Sequence, residues 1–297
     1  MQFFFEVLIG GLLSGIMYSF VALGFVLIYK ASGVFNFAQG AMVFFAALTF
    51  VGIQELGAPF WLAFILSFIA MIALGIFTEK IVLRPLVNQP PITLFMATIG
   101  LTYLVEGIAQ GIWGANVRGL DLGIQDEPIE WFLENMNILV SKFDLFAAGV
   151  AAILVTTLAI LFQYTKTGRA LRAVADDHQA ALSIGIPLNR IWVIVWCVAG
   201  VVALVAGIIW GSKLGVQFSL SLVALKALPV VILGGLTSVP GAIIGGLIIG
   251  VGEKMSEVYL GPMVGGGIEI WFAYVLALVF LLFRPQGLFG EKIIDRV

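Results

Sequence analysis

Between residues 166 and 190 the chain gathers Arg169, Arg172, Asp176, Asp177, His178 and Gln179, followed by Ala180, Ala181 and Gly185, all between two purely apolar stretches. Charges of both signs at helical spacing suit charge-assisted contact with a soluble partner rather than bond-making. Leu171, Val174, Ala175, Ala181 and Leu182 recur at three- and four-residue intervals. One helix here would therefore carry an apolar stripe beside the charges, and Gly185 and Pro187 would end it. A solvated connecting helix without a partner fits the same periodicity.

A second set of polar residues lies within apolar sequence, where an ionised side chain costs about 2.5–3.5 kcal/mol at mid-membrane on the insertion scale. These are Asn36 and Gln39, Glu106 with Gln110 one turn on, Lys226, and Glu269. Asn36 and Gln39 are three apart, so a helical start would put their amides on one face, where they could meet a polar solute. An alternative use for them is to satisfy backbone groups freed where a helix breaks. Lys226 would either pair with Glu106 or extend its ammonium outward as an anchor. Glu269 reads as a structural residue at an interface.

Covalent chemistry finds no constellation. His178 is the sole histidine and Cys197 the sole cysteine, so neither a His-based metal site nor an internal disulfide is expected. No GxxxxGK[ST] phosphate loop occurs, so the chain is expected to have no ATPase site and no cofactor of its own, with any ATP bound by partner subunits. A net charge of −2 gives no sign of nucleic-acid binding.

The elements that must position these residues are membrane helices. The chain is 61% hydrophobic and 11% charged, against about 25% charged in a soluble domain. Charge-free windows at 7–29, 31–54, 56–78, 85–105, 145–165, 191–212 and 227–252 each reach the ~20 residues a helix needs to cross the hydrocarbon. The expected fold is all-α and polytopic, with about 8–9 transmembrane segments, in a single domain over 1–297 that includes the loop 166–190. Lys30, Lys80, Arg84, Lys166, Arg169, Arg172, Arg190, Arg284, Lys292 and Arg296 fall on one side if the spans alternate. That side is the cytoplasm by the positive-inside rule, which puts the C-terminus inside. The loop 114–144 carries Trp131, Phe132, Met136, Ile138 and Leu139, as a helix lying in the outer interface would, or a connector.

Two segments interrupt the plain spans. Residues 227–252 hold Pro229, Gly234-Gly235 and Ser238-Val239-Pro240-Gly241, so a broken or re-entrant helix pair is expected there. Residues 32–40 hold a similar break around Asn36. Gly40-Ala41 and Gly241-Ala242 are each followed by an Arg-Pro, at 84–85 and 284–285, a weak trace of internal duplication. Pairs of glycines four apart at 11/15, 107/111, 207/211, 241/245 and 246/250 suit close helix seams.

Three of these stretches carry a resemblance. Tyr29 to Met42 (YKASGVFNFAQGAM), Leu233 to Leu247 (LGGLTSVPGAIIGGL) and Phe283 to Gly290 (FRPQGLFG) resemble, in the same order, the branched-chain amino acid ABC transporter permeases, and among them the shorter permease subunit. The likeness spans nearly the whole chain. It implies a permease in a bacterial-type inner membrane, paired with a second homologous permease, two cytoplasmic ATPase subunits and an extracytoplasmic substrate-binding protein. Gln179-Ala180-Ala181 with Gly185 is similar to the E-A-A-x-x-x-G pattern by which importer permeases dock on their ATPases, with glutamine where glutamate is usual and no I-x-L-P continuation. Branched-chain amino acids are the implied cargo, with urea or short amides as alternatives inside the family. Outside it, an ion-gradient-driven transporter would need a titrating membrane group, for which Glu106 is the candidate, and a structural membrane subunit without a path is disfavoured by the breaks.

Overall fold

The computed structural model describes residues 2–290 apart from Asn88 and Gln125. Lys292, Arg296 and the C-terminus, used above to orient the chain, lie outside the described residues. The described chain is helical: α1 (Gln2–Ser32), α2 (Gln39–Glu55), α3 (Phe60–Phe77), α4 (Pro91–Trp113), α5 (Glu130–Met136), α6 (Lys142–Tyr164), α7 (Lys166–Asp176), α8 (His178–Ser183), α9 (Leu188–Leu214), α10 (Val223–Gly234), α11 (Val239–Val264) and α12 (Phe272–Phe283). Among the described residues six helices are long and apolar enough to cross a bilayer, with shorter apolar helices at Gln39–Glu55, Phe218–Gly234 and Phe272–Phe283. The polytopic all-α expectation holds.

Both expected breaks are present. α1 ends at Ser32 and α2 begins only at Gln39, so the window 31–54 is not one helix. α10 ends at Gly234 and α11 begins at Val239, while Pro229 sits inside α10 without ending it. The window 85–105 also shifts, to Pro91–Trp113, because Pro85 belongs to a short 3-10 turn and Pro90 precedes the helix that Pro91 opens. α3 continues through a π-helical segment, Thr78–Leu83, into that turn. α11 runs past the end of its window because Glu253 and Lys254 do not interrupt it.

The chain forms two compact units. In the first (1–26, 122–152 and 225–297), α1 crosses α11 at glycines. A Cβ at Gly15 would overlap the Gly246 carbonyl, and one at Gly11 would lie 2.7 Å from Val251 Cα. The Ser19 hydroxyl donates to the Ala242 carbonyl across the same seam at 3.2 Å. Such backbone approach is what glycine permits where lipid supplies no hydrophobic drive. Gly15→Val should therefore force the seam apart and lower stability by about 1–3 kcal/mol, read as a fall in the thermal midpoint of the detergent-solubilised chain. An unshifted midpoint would remove the seam as a determinant.

The second break is tied to the tail motif. Leu288 and Phe289 donate their backbone N–H groups to the Leu233 and Gly234 carbonyls at 2.8 and 3.1 Å. Those carbonyls end α10 and would otherwise be orphaned. Segment 126–142 folds back on itself through Ile129 N–H to Val140 O at 2.9 Å, with Ile138, Val140, Phe132 and Leu13 in one apolar cluster. Of the helix and the connector that loop 114–144 allowed, the structure has a helix, α5.

In the second unit (27–121 and 153–224), α2 is the centre. It is buried continuously from Gln39 to Phe44 and from Ala46 to Gly52, which fits a helix apolar on all faces. α9 reaches it at Gly207, where a Cβ would lie 3.2 Å from Ala47 N, and α9 meets α3 at Gly75 and Gly200. Gly107 and Gly111 face open space, so this pair of the series makes no seam among the described residues.

Candidate functional site

The first break is a locked irregular turn. Asn36 Oδ1 accepts from Ala38 N–H at 3.1 Å, and Asn36 Nδ2 donates to Gln39 Oε1 at 3.1 Å and to Met42 Sδ at 3.5 Å. Thr98 on α4 donates to the Phe35 carbonyl at 3.2 Å. Phe35, Phe37 and Phe95 stack along the turn with centroids 4.7 and 4.8 Å apart. Asn36 and Gln39 are fully buried, and Gln39 Nε2 finds no acceptor among the described residues. The two amides thus differ. Asn36 is spent within the turn, on one backbone N–H and two side chains, whereas Gln39 keeps two unused donors in an apolar setting, where an unmade bond costs about 1–3 kcal/mol.

Ala38 and Ala41 pack against Leu101 and Val105 of α4. Glu106, the next residue on α4, is buried, and no ion pair to it occurs among the described residues. The carboxylate against Lys226 is Glu253, not Glu106. Lys226 Nζ lies 2.8 Å from Glu253 Oε1 and 5.8 Å from the centroid of the Tyr18 ring, and the Tyr18 hydroxyl donates to the same Glu253 oxygen at 3.2 Å. Expecting Glu106 failed because the charge-free window stopped at residue 252 and made Glu253 look like a flank. The helix carries on, so Glu253 is an interior charge that needs a cation.

Glu79 was missed for the same reason. It sits at the edge of the window 56–78, yet is buried and held bidentately by Arg84, with Nε to Oε1 at 3.0 Å and Nη2 to Oε2 at 2.6 Å. The spacing of five residues matches the π-helical segment that holds Glu79 and ends at Arg84. A lone acid five before a basic residue in apolar sequence was the available signal.

Segment 166–190 is two helices, not the single one expected. Thr165 Oγ1 caps α7 by accepting from Gly168 N–H at 3.0 Å. Asp177 interrupts the helix in extended conformation and caps α8, its Oδ1 accepting from Gln179 and Ala180 N–H at 2.8 and 3.0 Å. An aspartate cap competes with continued helix because its side chain replaces the backbone acceptor. Leu171, Val174 and Ala181 are buried as the periodicity predicts, but Leu182 is exposed, as is Ile184. Arg169, Arg172, Asp176, Gln179 and Ala180 are exposed around them, and Arg172 reaches the Gln163 carbonyl at 3.3 Å. His178 opens α8. Gly185 takes φ +84° and its N–H bonds to the Leu182 carbonyl at 3.0 Å, ending α8 as glycine does. The result is a capped corner anchored by three apolar side chains and presenting two others.

Interrupted helices and close glycine seams are features of membrane transport proteins. The family model described as branched-chain amino acid transport system, permease component, matches residues 7–284. The chain belongs to that family. Among the permease's relatives, the high-affinity branched-chain amino acid transport system permease protein LivH of Salmonella typhimurium is 27% identical over 99% of this chain and 98% of its own length. The corresponding protein BraD of Pseudomonas aeruginosa is 25% identical over 99% and 98%. A fructose import permease protein, FruF of Bifidobacterium longum, is 23% identical over 91% of the permease and 75% of its own length. Relatives named for amino acids and for a sugar thus align with most of one framework, so the framework alone does not set the cargo.

Proposed function

We propose that this permease is one of a pair of membrane subunits of an ATP-driven importer for branched-chain amino acids in a bacterial-type cytoplasmic membrane. A loaded extracytoplasmic binding protein delivers the solute, and two soluble ATPases drive alternating access through segment 166–190. The observation that carries this reading is the α7–α8 corner. Exposed Leu182 and Ile184 beside Arg169, Arg172 and Asp176 offer an apolar anchor with a charged rim, the composition of a docking surface. The position of Gln179-Ala180-Ala181-x-x-x-Gly185 on that corner supports the same role. Uptake of a labelled amino-acid panel by the reconstituted complex, with and without ATP, tests it. Uptake that ignores ATP and collapses with the ion gradient would replace it.

That second outcome has its own support in the partly buried Tyr18–Lys226–Glu253 cluster and in buried Glu106, since intramembrane ionisable groups mark ion pathways in many transporters. The pairing of Lys226 with Glu253 at 2.8 Å favours a fixed structural role.

The solute path in this reading runs past the first break. Gln39, whose amide nitrogen lacks an acceptor, would offer its donors to a passing carboxylate, while Asn36 holds the turn. Gln39→Leu is therefore expected to lower uptake per assembled complex with little net loss of thermal midpoint, because the acceptor it takes from Asn36 Nδ2 is offset by removal of its own unpartnered amide nitrogen. Asn36→Leu should instead lower the midpoint, by the equivalent of about 1–3 kcal/mol, before it alters turnover. Normal turnover in a stable Gln39→Leu complex would take this residue off the path.

A further inference from the structure

Four helix ends of the second unit meet around a partly open cavity of about 130 Å3. Its lining comes from Ser32 and Val34 after α1, from Glu79, Leu83, Arg84 and Val87 at the end of α3, from Leu94 in the first turn of α4, and from Trp192 and Trp196 near the start of α9. The polar groups in this wall are mostly committed. Ser32 donates to the Ile28 carbonyl at 2.7 Å, the Trp192 indole N–H donates to the Ala31 carbonyl at 3.1 Å, and both Glu79 oxygens accept from Arg84. Arg84 is the charged exception. Its Nε and Nη2 hold Glu79, its Nη1 donors have no partner among the described residues, and its side chain is 35% exposed.

A wall of apolar and indole surface with an unspent guanidinium edge selects a ligand that only accepts hydrogen bonds and carries negative charge. The surrounding charge agrees. Lys30 in the last turn of α1, Lys80 beside Glu79, and Arg190 in the first turn of α9 stand at the same helix ends, where Glu79 is the one carboxylate among the described residues. Helix ends with tryptophan and excess basic residues lie at the headgroup level of a membrane. Ile81, Val87 and Ile92, exposed beside the lining residues, are suited to acyl chains that the cavity itself is too small to hold.

We propose that this cavity binds the phosphate of one anionic phospholipid, with Arg84 as the phosphate ligand and Trp192 and Trp196 flanking the glycerol. Basic pockets between membrane helices take anionic headgroups by the same combination of charge and shelter. The proposal rests on the cavity alone and does not require the ATP-driven reading, so a failure of one leaves the other standing.

Native mass spectrometry of the full-length chain, equilibrated with equal amounts of phosphatidylglycerol and phosphatidylcholine, tests it. One phosphatidylglycerol should be retained with a preference of about fivefold or more, the ratio that one basic residue near the surface supplies. Arg84→Gln should abolish the preference. Because that change also strands buried Glu79, Leu94→Trp serves as a second variant that fills the cavity and leaves the ion pair intact, and it should remove the retained lipid. Equal retention of the two lipids by the unaltered chain, or a preference that survives Leu94→Trp, would overturn the proposal. Displacement of the lipid by free leucine would overturn it as well, by assigning the cavity to the carboxylate of a transported amino acid.

Discussion

Leu182→Asp and Ile184→Asp should each cut ATP-driven uptake by roughly thirtyfold, the loss expected when an interface anchor worth about 2 kcal/mol is replaced by a charge. Both side chains are exposed, so the chain's own fold loses nothing and the yield of assembled complex should stay normal. Ala181→Asp acts differently. Ala181 is buried, and a carboxylate there costs more than the ~1–3 kcal/mol that mutational data give for a neutral polar group left unbonded, enough to lift α8 from its seat. Gly185→Val would strain a residue held at φ +84° by about 1–2 kcal/mol and shift the exposed tip. All four variants should retain basal ATP hydrolysis by the partner subunits while losing its link to uptake. Coupled transport at the unaltered rate in the two surface variants would remove this corner as the contact.

What the sequence made legible follows from how each signal is written. Breaks are written in proline and glycine, which act locally, so the interruptions at 33–38 and 235–238 were readable residue by residue. The glycine seams were readable as spacing, but not as contacts. Gly11 and Gly15 meet α11, whereas Gly107 and Gly111 meet nothing among the described residues, and no spacing rule separates those cases. The interior charges were misread for a structural reason. Cutting the chain into charge-free windows places each acid at a boundary by construction, so Glu79 and Glu253 looked like flanks although both are buried. The one-helix reading of 166–183 failed because Asp177 belongs equally to a helix surface and to a cap. Its choice depends on where Leu171, Val174 and Ala181 find their neighbours.

Lys226→Met should destabilise the chain more than Glu253→Gln does. The two partners are unequally placed: the Glu253 side chain is 3% exposed and that of Lys226 is 36% exposed. Removing the lysine leaves a carboxylate with no route to solvent and only the Tyr18 hydroxyl for support, a loss in the range of about 3–5 kcal/mol for a broken buried pair. Removing the carboxylate leaves an ammonium that can turn outward on a flexible stem, which relieves much of the penalty. The double variant Lys226→Met/Glu253→Gln carries no stranded charge and should recover most of the stability lost by Lys226→Met alone. Thermal midpoints of the three variants in one lipid mixture measure this, and equal losses in both single variants with no recovery in the double would contradict the asymmetry. Uptake by the recovered double variant then decides what the pair is for. A stable complex with normal turnover makes the cluster a clamp between α1, α10 and α11, and takes Lys226 off the solute path. A stable complex with lost turnover means that the ammonium acts in transport beyond its packing, because the structural cost has been cancelled within the same molecule.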